Sequence, residues 1–209
     1  MRTVDPVRYA ERRARILDAA AEVFAERGFD GATTAAICRR AGIGSGTLFH
    51  YFPDKKSIFH ALFADDSEAT KAFLEQLDRS DPLAALFAVI DHRTADATHP
   101  VVPGLLMALL VQLGRDPELA AIVDRDEQMV NAVMADLIRK AARRGQVRPP
   151  TDPETAARWI SALIDAVYLQ AGRPGVDPAR EVEVLRVVVT RFLDADPGAR
   201  SRGRQRARR

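Results

Sequence analysis

The sequence predicts an all-α chain of about nine helices, on three observations. Alanine and leucine are abundant while aromatic residues make up only 6%, a balance that favours helix over strand. Apolar residues recur with helical period along most of the chain, and no window alternates with period two. Aspartate-proline pairs punctuate the helix starts. On this reading a three-helix segment fills residues 1–60, a larger helical segment residues 61–197, and a disordered basic tail residues 198–209. No internal repeat interrupts that plan.

Taken in order, Ile16, Leu17, Ala20, Val23 and Phe24 form the first stripe, which ends at Gly28. Two short helices follow over about 33–52, joined at Gly42. Ile58, Phe59, Leu62, Phe63, Phe73, Leu74 and Leu77 predict one long helix. Asp81-Pro82, Asp116-Pro117, Asp152-Pro153 and Asp177-Pro178 each place a side-chain acceptor at the N-cap and proline at the first helical position. The carboxylate satisfies an orphan amide, and proline lacks only a donor that the helix never uses. Helical stripes follow each pair: Leu83, Leu86, Phe87 and Ile90; Leu119 to Ile138, closing at Gly145; Ile160 to Tyr168, closing near Gly172; and Val182 to Phe192. Residues Gly104 to Leu113 are apolar almost all round, which predicts a buried helix.

The segment most informative for function is Gly31 to Phe52. Thr33 is placed to cap a helix in which Ile37 and Ala41 face inward. Gly42 permits the left-handed backbone that a sharp turn between helices needs. The second helix begins near Gly44-Ser45 and packs Leu48 or Phe49 together with Phe52. Two short helices joined by a glycine turn match a helix-turn-helix, whose second helix enters the major groove of DNA.

Gly28-Phe29, Thr33, Ile37, Ala41-Gly42-Ile43, Gly46-Thr47-Leu48-Phe49, Tyr51-Phe52 and Lys55 stand in one register, preceded by Ile16-Leu17, Ala20 and Phe24-Ala25. Over about residues 12–63 this pattern resembles the tetracycline-repressor (TetR) family. The resemblance implies a three-helix DNA-binding domain at the N-terminus and a larger helical domain for effector binding and dimerisation. It further implies that Thr33 caps its helix and holds a phosphate, and that Ser45, Gly46 and Thr47 approach base edges. His50 and Tyr51 correspond to phosphate-contacting positions, and Lys55 to a phosphate anchor. Arg39 and Arg40 join them as DNA contacts on grounds of charge alone. Two positions depart from the pattern: Gly44 replaces a frequent capping serine, and Phe49 a frequent tyrosine.

In that family the last two long helices pair with their copies. Here they are residues 153–171 and 178–195, with Trp159, Ile160, Leu163, Ile164, Val167, Leu185, Val188, Val189 and Phe192 as the expected dimer face. A broad monomer core is the competing reading, since buried helices are apolar all round. The central helices, about 82–145, would house an effector pocket lined by Met107, Leu110, Asp126, Met129, Val133 and Met134. The expected partners are therefore a palindromic double-stranded DNA operator, an unknown small-molecule effector and a second copy of the chain.

Charge and composition bound the alternatives. Arginines 200, 202, 204, 206, 208 and 209 outweigh the net charge of +2 and leave residues 1–199 at −4. Local geometry, not bulk charge, must therefore carry DNA recognition. The tail is read equally as a nonspecific DNA contact or as a solubilising end. With no stretch near the roughly 20 apolar residues needed to span a bilayer, and no secretory signal, the expected location is the cytoplasm. Cys38 is the only cysteine, so an intramolecular disulfide and a cysteine-rich metal cluster are excluded. Its place after Ile37 predicts a small core residue, with a redox sensor as the alternative. Neither His50 with His60 nor His92 with His99 has the spacing of a metal pair. His92 is expected in solvent, opposite its helix's apolar stripe. Asp126 falls within an apolar stripe, which predicts an arginine partner or solvent contact, or else a pocket acid for a cationic effector. No convergent nucleophile, base and orienting group emerges, so neither an enzyme nor a cofactor is expected. A DNA-binding regulator leads, with a helical small-molecule-binding protein and a nonspecific architectural protein as alternatives.

Overall fold

A computed structural model describes residues 5–195. Among the described residues the elements are helices: α1 (Pro6–Gly31), α2 (Thr34–Ala41), α3 (Ser45–Tyr51), α4 (Lys55–Gln76), α5 (Pro82–Arg93), α6 (Val102–Leu113), α7 (Pro117–Arg143), α8 (Pro153–Ala171) and α9 (Pro178–Phe192). The arginine tail read from the sequence lies outside the described residues.

The Asp-Pro pairs act as expected. Asp81 accepts from the amides of Leu83 and Ala84 at 3.1 and 3.2 Å, and Asp116 from those of Glu118 and Leu119 at the same distances. Asp152 accepts from the Thr155 amide at 2.9 Å, and Asp177 from Ala179 at 3.1 Å. A fifth pair, Asp5-Pro6, opens α1 in the same way, with Asp5 accepting from the Val7 amide at 3.1 Å. The first helix therefore starts ten residues before the stripe that announced it. Its helical backbone breaks at Gly28, where that stripe ends.

The chain packs as two compact units. The first comprises the described residues up to Ala69 together with His99–Asp124; the second comprises Thr70–Thr98 and the described residues from Arg125 onward. The expected boundary near residue 60 falls inside the first unit, in which α6 and the start of α7 pack with α1–α3. Helices α4 and α7 each contribute to both units.

In the first unit, Ile16, Phe24, Ile37, Leu48, Ile58, Phe59 and Leu119 are buried to 1% exposure or less. Each such side chain contributes roughly 1.5–3 kcal/mol through burial. Phe59 meets Phe24 edge-on at 4.7 Å between ring centroids and Phe63 at 5.1 Å. Helix α6 runs against α1, and a Cβ at Gly104 would lie 2.5 Å from the Ala25 carbonyl oxygen. Only glycine allows that approach. The sequence predicts α6 to be buried, yet Met107, Leu110 and Val111 are exposed, so one flank alone is covered.

In the second unit the core runs through Leu86, Val89 and Ile90 of α5, Val130, Met134, Leu137 and Ile138 of α7, Ile160 and Ile164 of α8, and Leu185 and Val189 of α9. Gln146 extends the cap of α5, donating to Asp81 at 2.9 Å. Thus the turn after α7 is fastened to the start of α5.

Candidate nucleic-acid interface

Thr33 caps α2, its hydroxyl accepting from the Ala36 amide at 3.1 Å. Ala36, Ile37, Cys38 and Ala41 turn inward, so Cys38 has the small core role read from the sequence. The helix ends at Gly42 with φ +65° and ψ 39°, and the Ile43 amide donates back to the Cys38 carbonyl at 3.0 Å. This left-handed turn aims α3 away from α2.

Leu48 and Phe52 seat α3 at 0% and 4% exposure, while Ser45, Gly46, Phe49 and His50 are exposed and Thr47 is half-exposed. Leu48, not Phe49, is therefore the packing residue. Gly44 supplies no side-chain cap, as its departure from the family pattern implies. One short helix thus presents hydroxyls, a close-approach glycine and an imidazole on a single outward edge. That surface has the donors, acceptors and shape that base edges and phosphates require.

Tyr51 and His50 are braced by Tyr9, a residue the sequence reading passed over. The Tyr9 and Tyr51 rings stack at 4.5 Å and 28°, and Tyr9 meets His50 edge-on at 6.3 Å. The signal was present: Tyr9 lies seven residues before Ile16, on the same side of the helix. Arg13, one turn further, forks onto Asp65 of α4 and lies 5.4 Å over the Phe52 ring.

Lys55 and Arg40 are engaged within the chain. The Lys55 ammonium donates to the Phe29 and Ala32 carbonyls at 2.6 and 2.9 Å and stands 4.4 Å over the Phe29 ring. Arg40 pairs with Glu22, and with both oxygens of Glu26 at 2.7 and 2.8 Å. Of the two arginines, Arg39 is exposed and forms no ion pair among the described residues.

Behind the motif, His60 of α4 meets Asp116 at 2.7 Å, and Lys56 reaches Glu118 at 2.7 Å and Asp116 at 3.3 Å. Burial pushes the Asp116 carboxyl upward, but hydrogen bonds from His60, the Leu119 amide and Lys56 outweigh it and hold it at about 2. These pairs join α4 to the start of α7.

The candidate effector residues do not gather within one unit. Met107 and Leu110 belong to the first unit and are 56% and 45% exposed. Met134 is sealed in the second unit's core, with Met129 and Val133 packed against it. Asp126 has the arginine partner that the sequence favours: Arg93 donates to its Oδ2 at 2.9 Å, and the Arg93 carbonyl accepts from the Tyr168 hydroxyl at 2.6 Å. The second Asp126 oxygen is buried and accepts no hydrogen bond among the described residues. A groove of about 500 Å³ in the same unit is lined by Phe73, Leu77, Asp81, Ala84 and Ala88, none of them an expected pocket residue. His92 corrects its expectation of free exposure, being half-buried with its ring stacked on Phe73 at 4.0 Å.

The residues expected at a dimer face divide likewise. Ile160, Ile164, Val167, Leu185 and Val189 are 0–5% exposed in the chain's own core, which corrects their placement at an interface. Leu163 and Phe192 pack partly against that core. Trp159 and Val188 remain outside, joined by Leu169, Val184 and Val187, all five between 39% and 60% exposed.

Among the described residues, no helix is long and apolar enough to cross a membrane. Comparison with known proteins agrees with the geometry. The family model described as "Bacterial regulatory proteins, tetR family" matches residues 16–62, and that of the "BetI-type transcriptional repressor, C-terminal" matches residues 82–194. The chain is 29% identical to the HTH-type transcriptional regulator UidR of Escherichia coli strain K12, covering 88% of this chain and 93% of the relative. It is 30% identical to the HTH-type transcriptional repressor BepR of Brucella suis, covering 74% and 78%. A crystal structure of a TetR transcription regulator from Haloarcula marismortui superposes with a TM-score of 0.75 at 18% identity, covering 88% of this chain and 97% of that one. The outward edge of α3, its glycine turn and these matches together make this chain a member of the TetR family of bacterial transcriptional regulators, with a helix-turn-helix DNA-binding domain and a BetI-type C-terminal region.

Proposed function

We propose that this regulator is a ligand-responsive repressor that acts in the cytoplasm, binds a palindromic operator as a homodimer and leaves it when a small molecule binds. The observation that carries the reading is the exposed edge of α3 above its buried anchors Leu48 and Phe52. Ser45, Gly46 and Thr47 approach base edges, and Phe49 offers the apolar contact that a thymine methyl rewards. Thr33, His50, Tyr51 and Arg39 hold phosphates. Lys55 and Arg40 act at one remove, by fixing the ends of α1 and α2.

A helix of seven residues reads only a few base pairs, so specificity needs two copies about a twofold axis. Trp159, Leu169, Val184, Val187 and Val188 supply the apolar face for that pairing. The effector seat is along α7, where Met129 and Val133 are half-buried and Asp126 keeps one unpartnered oxygen. Effector binding shifts α4, which carries residues of both units, and so changes the spacing of the two α3 helices.

Footprinting after in vitro selection of a binding site tests the reading. A discrete protected palindrome supports it, whereas uniform, salt-sensitive coating supports a nonspecific architectural role. The effector step is tested separately, by whether any compound that raises the melting temperature also releases the selected site.

A further inference from the structure

The geometry points to a second, sequence-independent DNA contact on the first turns of α1, in which Arg12, with Arg8 beside it, binds the phosphates next to those at His50 and Tyr51. The inference rests on the DNA-binding reading and extends its footprint beyond the helix-turn-helix.

Two contacts fix which side of α1 faces the motif. Tyr9 stacks on Tyr51 at 4.5 Å and meets His50 edge-on, which pins the second turn of α1 beside the end of α3. Arg15 reaches the Ala41 carbonyl oxygen at 3.4 Å, at the close of α2. Arg12 is three residues from each, so it projects between them on the same side. Steps of three and four residues also align Arg8 with Arg12 and Arg15 along one flank.

Three of the other cations near this flank are already engaged within the chain. Arg13 is forked onto Asp65, Arg40 onto Glu22 and Glu26, and Lys55 onto two carbonyls. Arg8 is loosely paired with Asp5 at 3.5 Å, both fully in solvent reach. Arg12 is exposed and makes no ion pair among the described residues, and the nearest acid in sequence, Glu11, is turned about 100° away around the helix axis. An uncompensated guanidinium beside a phosphate-contacting pair adds affinity by counterion release and carries no base information. Tyr9 is its positioning residue, because the ring stack sets how far α1 stands from α3.

The test measures binding by the full chain across 50–200 mM salt, on its selected site and on random-sequence duplex. Arg12→Ala should flatten the slope of log affinity against log salt by about 0.9 per contact, equally on both DNAs. Arg12→Lys should restore the slope, and the preferred sequence should not change. A slope unmoved by Arg12→Ala, at unchanged melting temperature, overturns the inference. A change confined to the selected site overturns it also, because the arginine would then be reading bases. If selection yields no discrete site, the operator reading fails by itself, while the random duplex still decides the role of Arg12.

Discussion

Lys55 stands where the family resemblance implies a phosphate anchor, yet its ammonium is committed to the Phe29 and Ala32 carbonyls. These oxygens lie at the end of α1 beyond its break at Gly28, and charge-assisted hydrogen bonds of this kind contribute about 1.5–3 kcal/mol each. Lys55→Met keeps the contact with the Phe29 ring but removes the donors. It should lower the urea midpoint of unfolding and weaken DNA binding together; loss of binding at an unchanged midpoint would return Lys55 to direct phosphate contact. Asp116 is the second residue with a measurable signature. Its carboxyl titrates near 2, below its ordinary 3.8, so ionised Asp116 stabilises the fold fully above about pH 4, and that contribution disappears as pH falls through about 2. Asp116→Asn preserves an acceptor for the α7 amides while deleting the charge facing His60 and Lys56. The variant should therefore melt below the parent at neutral pH, and the gap should close between pH 4 and pH 2. A gap that stays constant over that window would show the carboxylate charge to be immaterial.

At the scale of elements, what was legible is what is encoded locally. An Asp-Pro pair specifies its own helix start whatever lies elsewhere, and all four read from the sequence cap their helices. The fifth, at Asp5, escaped because the inward stripe of α1 begins with Tyr9 and the partly covered Arg13 instead of aliphatic residues. The division into units was not legible, because it rests on packing between residues far apart in the chain, the crossing of α6 over α1 above all. Gly104 of α6 touches the backbone of Ala25, and nothing in the apolar run Val101 to Leu113 announces a partner eighty residues earlier. That contact is testable. A methyl group at Gly104 would lie 2.5 Å from the Ala25 carbonyl oxygen, and neither backbone can yield without moving its helix. Gly104→Ala should cost about 1–3 kcal/mol, the usual penalty of overpacking, and be read as a lower melting temperature. Gly114→Ala is the control: nothing lies within 4 Å of its Cβ position, and its backbone is right-handed, so it should be neutral or slightly stabilising. Equal effects of the two would mean that helix propensity, not the crossing, decides the response at Gly104.

For the molecule as a whole, the DNA-binding motif was readable because all its determinants, from Thr33 to Phe52, lie within one short stretch. Which side of α8 and α9 stays exposed was not, because both helices are apolar on more than one side and periodicity cannot say which side is spent on the chain's own core. Ile160, Ile164, Leu185 and Val189 are spent there, and Trp159, Val184, Val187 and Val188 are left in water. The three valines fall at steps of three and four on α9, a continuous stripe of the kind that pairs helix against helix. Val187 is 51% exposed, so Val187→Glu should change the stability of the isolated chain by no more than about 0.5 kcal/mol. Across a twofold axis the same change acts twice, because each copy meets the other through the same patch. It removes two buried valines and places two like charges in an apolar seam. A loss of about 3 kcal/mol there weakens association roughly a hundredfold. Sedimentation velocity at micromolar concentration should accordingly show a dimer for the parent and a folded monomer for Val187→Glu. The monomer should also lose the discrete footprint at concentrations where the parent protects the whole palindrome. A variant that sediments as the parent does would move the interface off α9.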